Sequence, residues 1–311
     1  MSRPKHDIEE LKAGAQSLAC TRYVLELEAV NFESLVIELA FERMERKCNE
    51  VLELFNASGK NWNQTFYTML FRVLGGMDNR QAMIELSKRV KYHVLMRENS
   101  SIVYLEALLL GGAGLLELYP SDSYIHRLRV EFEHLAAKYE IVPMMASEWN
   151  LNNRYRHNHP TLRIAQIAAC LHNKDFNIER ALSFNSGEQI YDLFSGKASQ
   201  YWVENFTPNI SSATINSRIG HLKSDLLSIN LIAPMMFAYG NYTCNSDMTT
   251  SAVELLEDVV AEHNRYTNPW YSAGVEPRDA LVSQALLQLS KEYCTPSRCS
   301  ECPLAKMLTR G

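Results

Sequence analysis

Apolar residues recur along the first part of the chain at the spacing of an α-helix. From about Phe32 to Asn56 they step alternately by four and three positions, which places them on one helical stripe. The stretch Trp62 to Leu74 repeats the pattern, and Gly75-Gly76 ends it because glycine tolerates the left-handed geometry of a helix terminus. We predict that the first stripe faces the core. It consists of Ile37, Phe41, Met44, Cys48, Val51 and Phe55.

The remaining sequence continues to alternate helical stretches with polar connections. The apolar run from Leu105 to Leu118 contains Gly111, Gly112 and Gly114, which permit very close helix approach or a sharp turn. The segment 142–160 has little regular pattern and connects two helical halves. Further helices are predicted at about Asp122–Tyr139, Thr161–His172, Ser251–Asn264 and Arg278–Tyr293, whereas 195–224 is expected to be rich in loops.

These patterns predict an all-α protein made of two packed helical halves. The N-terminal half covers 1–141, the polar and Arg-rich connection covers 142–160, and the C-terminal half with its cysteine tail covers 161–311. Glycine and proline, with 13 and 10 residues, make up about 7% of the chain against a usual ~12%. This low content argues against a turn-rich β-sandwich and against a disordered chain.

Charge and hydropathy describe an ordinary protein surface. There are 31 basic and 36 acidic residues, a net charge of −5, so the chain as a whole is not a basic nucleic-acid binder. The two most apolar runs, Leu105–Leu116 and Ile229–Ala238, fall short of the ~20 residues that cross a bilayer. The polar N-terminus lacks the apolar core of a signal peptide. We therefore expect a cytoplasmic protein that has no membrane partner.

The connection and the helix after it concentrate positive charge. From Trp149 to Lys174 there are three Arg and one Lys, and no Asp or Glu. Arginine offers a planar fork for phosphate, and free N–H groups at the start of a helix attract anions. Alternatively, these arginines pair with acids of the first half such as Glu106. The candidate anion or nucleic-acid site consists of Arg154, Tyr155, Arg156, His157, Asn158, His159 and Arg163.

Three of the seven cysteines are clustered near the C-terminus. Cys294, Cys299 and Cys302 are spaced so that one turn can bring their thiols to a single soft metal, and zinc is the expected cofactor. The fourth ligand is not identified; Cys244, His263 and other histidines are candidates. Alternatively, the three thiols are free. The scattered cysteines are predicted to be reduced and mostly buried; they are Cys20, Cys48, Cys170 and Cys244.

Several blocks of residues occur in a characteristic order. They are Trp62 with Phe66-Tyr67, Glu106 to Gly114, Trp149 with the connection up to Arg163, Asn230 to Gly240, Glu262-x-Asn264, and Ser283 to Leu289. In these blocks the chain resembles the bacterial domain-of-unknown-function family 2851, over nearly its whole length. The resemblance implies no established activity. It also implies a nuclease-like N-terminal domain that this chain does not include, so this chain corresponds to the C-terminal helical portion.

The cysteine tail resembles a second family. Its Cys-x-x-Cys-Pro element is similar to the tail that binds an iron–sulfur cluster in helix-hairpin-helix DNA glycosylases. That resemblance implies a fourth cysteine six residues after Cys302, where this chain has Leu308. An iron–sulfur cluster is therefore less expected than zinc, since the tail alone cannot supply four thiolates.

No catalytic constellation is apparent, since the chain has no Gly-x-Ser-x-Gly elbow and no paired nucleophile and base. The first hypothesis is a non-catalytic helical module that contacts an anion or a nucleic-acid backbone as part of a larger nuclease-like protein. The alternative is a structural or oligomerisation module, for example in a homo-oligomer, whose arginines form internal salt bridges only. A small metalloenzyme built on the tail cysteines is the third hypothesis.

Overall fold

A computed structural model describes residues 20–118, 122–152, 158–208, 210–211 and 217–310. Within these ranges the protein is all-α, which confirms the predicted fold class. The segment predicted to be rich in loops contains a small antiparallel ribbon formed by the strands Asn205–Thr207 and Ile210–Ser211. None of the helices in the described ranges is both long enough and apolar enough to cross a membrane.

The chain forms two compact units, and their boundaries differ from those of the predicted halves. One unit comprises Met1–Glu50 and Met236–Gly311, and the other comprises Val51–Met235. The connection predicted at 142–160 therefore lies inside the second unit. The first unit combines residues 20–50 with residues 236–310, which are distant in sequence, so a reading along the sequence cannot detect it.

The first unit, which we call the terminal unit, contains Thr21–Leu25 and most of the long Ala29–Ala57 helix. Its C-terminal elements begin within Ala233–Thr243 and continue with Ser246–Glu254, Leu255–Glu257, Asn268–Ser272, Ala280–Gln288, Leu289–Cys294 and Pro303–Arg310. Leu289–Cys294 is a π-helical continuation of Ala280–Gln288.

The second unit, which we call the central unit, is built around two helices that are buried on nearly all sides, Ile102–Gly112 and Pro160–His172. These two helices pack on each other, and Ser123–Tyr139 packs on the first. The other elements are Trp62–Leu74, Arg80–Arg89, Tyr92–Arg97, Leu116–Leu118, Ala146–Glu148, Ile178–Ala181, Gly187–Phe194, Tyr201–Glu204, His221–Leu227 and the π-helix Ser228–Ile232.

The inward face of the Ala29–Ala57 helix differs from the predicted stripe in its first half. Ile37 and Phe41 are exposed at 49% and 36%, whereas Met44 is only 2% exposed. The prediction is wrong at Ile37 and Phe41. A second set of apolar residues, one or two positions earlier in the sequence, forms the buried face of these turns instead. The second half of the stripe is buried as predicted. The residues buried before Met44 are Leu35, Val36, Leu39, Ala40 and Arg43.

The glycines in the apolar run act as the sequence predicts. A Cβ atom on Gly111 would lie 2.1 Å from the ring of Phe132, so the Ser123–Tyr139 helix approaches at contact distance. Gly114 has a φ of +69°, and a Cβ there would lie 2.0 Å from the Met144 carbonyl oxygen. One glycine permits close packing and the other permits a turn that other residues rarely adopt.

Candidate functional site

The structure describes only part of the predicted anion site. Arg154, Tyr155, Arg156 and His157 lie outside the described residues, whereas Asn158, His159 and Arg163 lie within them. The latter three surround the start of the Pro160–His172 helix in the central unit.

Local sequence explains why the helix starts at this point. Proline fits the first turn of a helix because its missing N–H group would have no partner there. His159 precedes Pro160 and caps the helix, and its Nδ1 atom accepts a hydrogen bond from the Thr161 N–H group. Burial lowers the pKa of His159 to about 4. The imidazole is therefore neutral at physiological pH and can act as this acceptor.

Arg163 is a buried cation that is held by neutral groups. Its side chain is 5% exposed. One terminal nitrogen donates to Gln166 Oε1 at 2.7 Å, and the other donates to Asn158 Oδ1 at 2.9 Å. The Nε atom is buried and has no hydrogen-bond partner among the described residues. Burial lowers the pKa of Arg163 to about 10, so the guanidinium remains charged at neutral pH.

Lys223 adds a second positive charge to this site. Burial and the nearby Arg163 guanidinium both lower the pKa of Lys223. Within the described ranges, no carboxylate forms an ion pair with either cation. The internal segments outside those ranges contain no Asp or Glu. Nothing in the sequence pattern distinguished Lys223, which approaches Arg163 only through the fold.

The alternative hypothesis required a partner such as Glu106, which the structure places in another network. Glu106 is fully buried and accepts hydrogen bonds from the Tyr124 hydroxyl, the Trp202 indole N–H at 2.9 Å and the Ser199 hydroxyl at 3.2 Å. Burial raises the pKa of Glu106, and these hydrogen bonds act against that rise. The network joins the Ile102–Gly112 helix to the segment around Trp202. None of these three donors is an arginine.

A separate polar seam crosses the terminal unit. Arg43 is 8% exposed and donates from Nε to Gln284 Oε1 at 2.6 Å, and Gln284 Nε2 donates to Glu262 at 2.7 Å. Tyr293 donates its hydroxyl to Glu42 at 2.8 Å. Glu262 and Gln284 belong to blocks singled out in the sequence. In the seam, Gln284 connects the Ala280–Gln288 helix to the Ala29–Ala57 helix through Arg43 and to the loop that carries Glu262.

The predicted metal ligands Cys294, Cys299 and Cys302 line one cavity in the terminal unit. Cys20, which the sequence pattern did not connect with them, lines the same cavity. The suggested fourth ligands lie elsewhere. Cys244 is exposed, and exposed His263 stacks on Tyr271. In the described part of the chain, no group of three or more Cys, His, Asp or Glu side chains is arranged around a single ion position.

The fold and these sites define a mainly helical protein with a buried arginine at one helix start and a separate cluster of thiols. The family model described as "Protein of unknown function (DUF2851)" matches residues 2–265, and the chain belongs to this family. The match ends before the Ser283–Leu289 block and the cysteine tail. No curated protein and no solved structure showed significant similarity to the chain, so the tail's resemblance to DNA glycosylases has no support from these comparisons.

Proposed function

We propose that this protein is a non-catalytic helical module that binds a phosphate group, with a nucleic-acid backbone as its ligand, at the start of the Pro160–His172 helix. The observation that carries the proposal is the environment of Arg163: the residue is 5% exposed, its guanidinium has two amide partners, and its buried Nε donor has no partner in the described structure.

The energetics of burial support an anionic ligand. Removing an ion from water costs several kcal/mol unless an opposite charge and hydrogen bonds compensate for it. The amides of Gln166 and Asn158 supply dipoles but no negative charge. A phosphate oxygen supplies that charge and accepts the remaining N–H donor, since guanidinium and phosphate geometries match.

The helix start adds to the attraction. Pro160–His172 is 13 residues long, so its backbone dipoles place a partial positive charge at the end that carries Arg163. Lys223 contributes a further positive charge. By sequence, Arg154 and Arg156 precede this helix, and Tyr155 between them offers a stacking surface for a base. This combination favours a nucleic-acid backbone as the ligand.

Fluorescence anisotropy tests the proposal. It measures the affinity of the protein for labelled single- and double-stranded oligonucleotides over a range of salt concentrations. With about three arginine contacts, log Kd against log salt should have a slope of about 2 to 3. Affinity should depend little on sequence because phosphate contacts carry no base information. Arg163→Gln should weaken binding about tenfold or more, as expected for loss of a charged hydrogen bond.

Arg180→Gln is the matched control. Arg180 belongs to the same unit, but it is exposed and pairs with Asp175 at 2.9 Å. This variant should bind as tightly as the unaltered protein. Equal affinities of the Arg163 variant and the unaltered protein would contradict the proposed site. Thermal stabilisation by inorganic phosphate without any oligonucleotide binding would retain the anion site and contradict the nucleic-acid ligand.

The structural alternative makes a different prediction for the same variant. If Arg163 served stability alone, its substitution would lower the melting temperature and leave oligonucleotide binding unchanged. Association with a nuclease-like domain and homo-oligomer formation stay predictions, the first from the family resemblance and the second from the structural alternative.

A further inference from the structure

Cys20 and the three tail cysteines, which are distant from it in sequence, line one cavity. Cys20 precedes the Thr21–Leu25 helix, Cys294 ends the π-helical turn, and Cys299 and Cys302 follow in the tail. Their side chains line a cavity of about 20 Å³. The other residues that line it are Leu289, Tyr293, Leu304 and Ala305.

The tail is folded in a way that directs its thiols to this cavity. Ser297 has a φ of +57°, and its N–H group donates to the Cys294 carbonyl at 3.1 Å, which closes a tight turn. Cys302 then directly precedes the Pro303–Arg310 helix.

The other three cysteines have different surroundings. Cys48 is buried in the long helix, Cys170 is fully buried and donates to the Phe194 carbonyl, and Cys244 is exposed. All seven cysteines are free thiols in the structure. The convergence of four of them on one apolar cavity is therefore not a general property of the cysteines in this chain.

We propose that Cys20, Cys294, Cys299 and Cys302 together bind one metal centre, in which Cys20 is the fourth ligand that the tail lacks. Four thiolates are the ligand set of structural zinc sites and also of four-iron clusters. The sulfurs surround the cavity without converging on one ion position. A zinc ion therefore requires the sulfurs to move together. In a cluster each sulfur would bind a separate iron atom, and the cavity of about 20 Å³ would have to widen to hold it. This centre lies in the terminal unit and does not depend on the anion site.

The centre would have a structural consequence. It would connect residue 20 to residues 294–302, which are separated by most of the sequence. Metal binding to such a site contributes directly to folding, because the ligands do not converge in the unfolded chain.

Metal analysis of the full chain, purified without oxygen and without chelators, tests the proposal. The expected result is about one zinc per chain, or about four irons per chain with a brown visible absorbance. Cys20→Ser and Cys299→Ser should each lose most of the metal, whereas Cys244→Ser should retain it. Full metal content in the Cys20 variant, or equal loss in the Cys244 variant, would overturn the assignment.

A second measurement uses the unaltered protein and so does not depend on whether the variants fold. Iodoacetamide labelling followed by peptide mass spectrometry compares the protein as purified with protein stripped of metal. Cys20 should be protected as purified and labelled after stripping, while Cys244 is labelled in both. A protein that is metal-free as purified, with Cys20 labelled as readily before stripping as after it, would exclude the metal centre.

Discussion

At the scale of single residues, the central unit contains two buried ionisable groups with different surroundings. Both have neutral partners, but both carboxylate oxygens of Glu106 accept hydrogen bonds, from Tyr124, Trp202 and Ser199. Arg163 has two neutral partners, and its Nε donor has none in the described ranges. Because a buried donor without a partner is costly, this difference supports the proposal that Arg163 binds a ligand, whereas the Glu106 oxygens already have partners within the protein.

His159 should make stability depend on pH. Burial lowers its pKa from 6.5 to about 4 in the folded protein. The unfolded chain therefore binds a proton between these two pH values while the folded protein does not. The contribution of His159 to the free energy of unfolding is thus fully present above about pH 6.5. The free energy of unfolding should fall by about 1.4 kcal/mol per pH unit as the pH decreases toward 4. Urea unfolding at a series of pH values measures this slope.

His159→Asn isolates the contribution, because asparagine can still cap the helix but does not titrate. This variant should lack the slope that the unaltered protein shows. Exposed His126→Gln leaves the buried imidazole in place and should retain that slope. A pH dependence that is identical in all three proteins would mean that His159 titrates normally.

At the scale of elements, the sequence predicts where helices form better than which face is buried. The predicted Trp62–Leu74 helix has the same bounds in the structure, and Asp122 caps the next predicted helix by accepting from Ile125 N–H at 2.8 Å. Helix ends are set by capping residues and glycines that are neighbours in sequence, so the sequence predicts them. The π-helical segments were not predicted, because they depend on tertiary packing.

The long helix offers a direct test of its buried face. Met44→Ala should destabilise the protein by about 2–5 kcal/mol, because it leaves a cavity in the core. Ile37→Ala should change stability by no more than about 0.5 kcal/mol, since Ile37 is half exposed. Chemical denaturation compares the two variants. Similar losses in both would show that the predicted stripe, rather than the observed face, is buried.

At the scale of the whole molecule, the sequence does not predict which distant residues come together in the fold. The clustered spacing of Cys294, Cys299 and Cys302 suggested a metal site, but nothing near Cys20 connects it with them. Similarly, the charge pattern pointed to Arg163 but not to Lys223. In both cases the missing residue is distant along the chain, and only the fold brings it to the site.

The central claim, that Arg163 binds an anion, is tested most directly by thermal unfolding in inorganic phosphate, with chloride at equal ionic strength as the reference. A ligand at 100 times its Kd stabilises the folded state by about 2.7 kcal/mol. The melting temperature of the unaltered protein and of Arg180→Gln should therefore rise with phosphate. Arg163→Gln should lose most of this rise, while its melting temperature in chloride should be no lower than that of the unaltered protein. An equal phosphate-dependent rise in all three proteins, or a large loss of stability of the Arg163 variant in chloride, would contradict the claim.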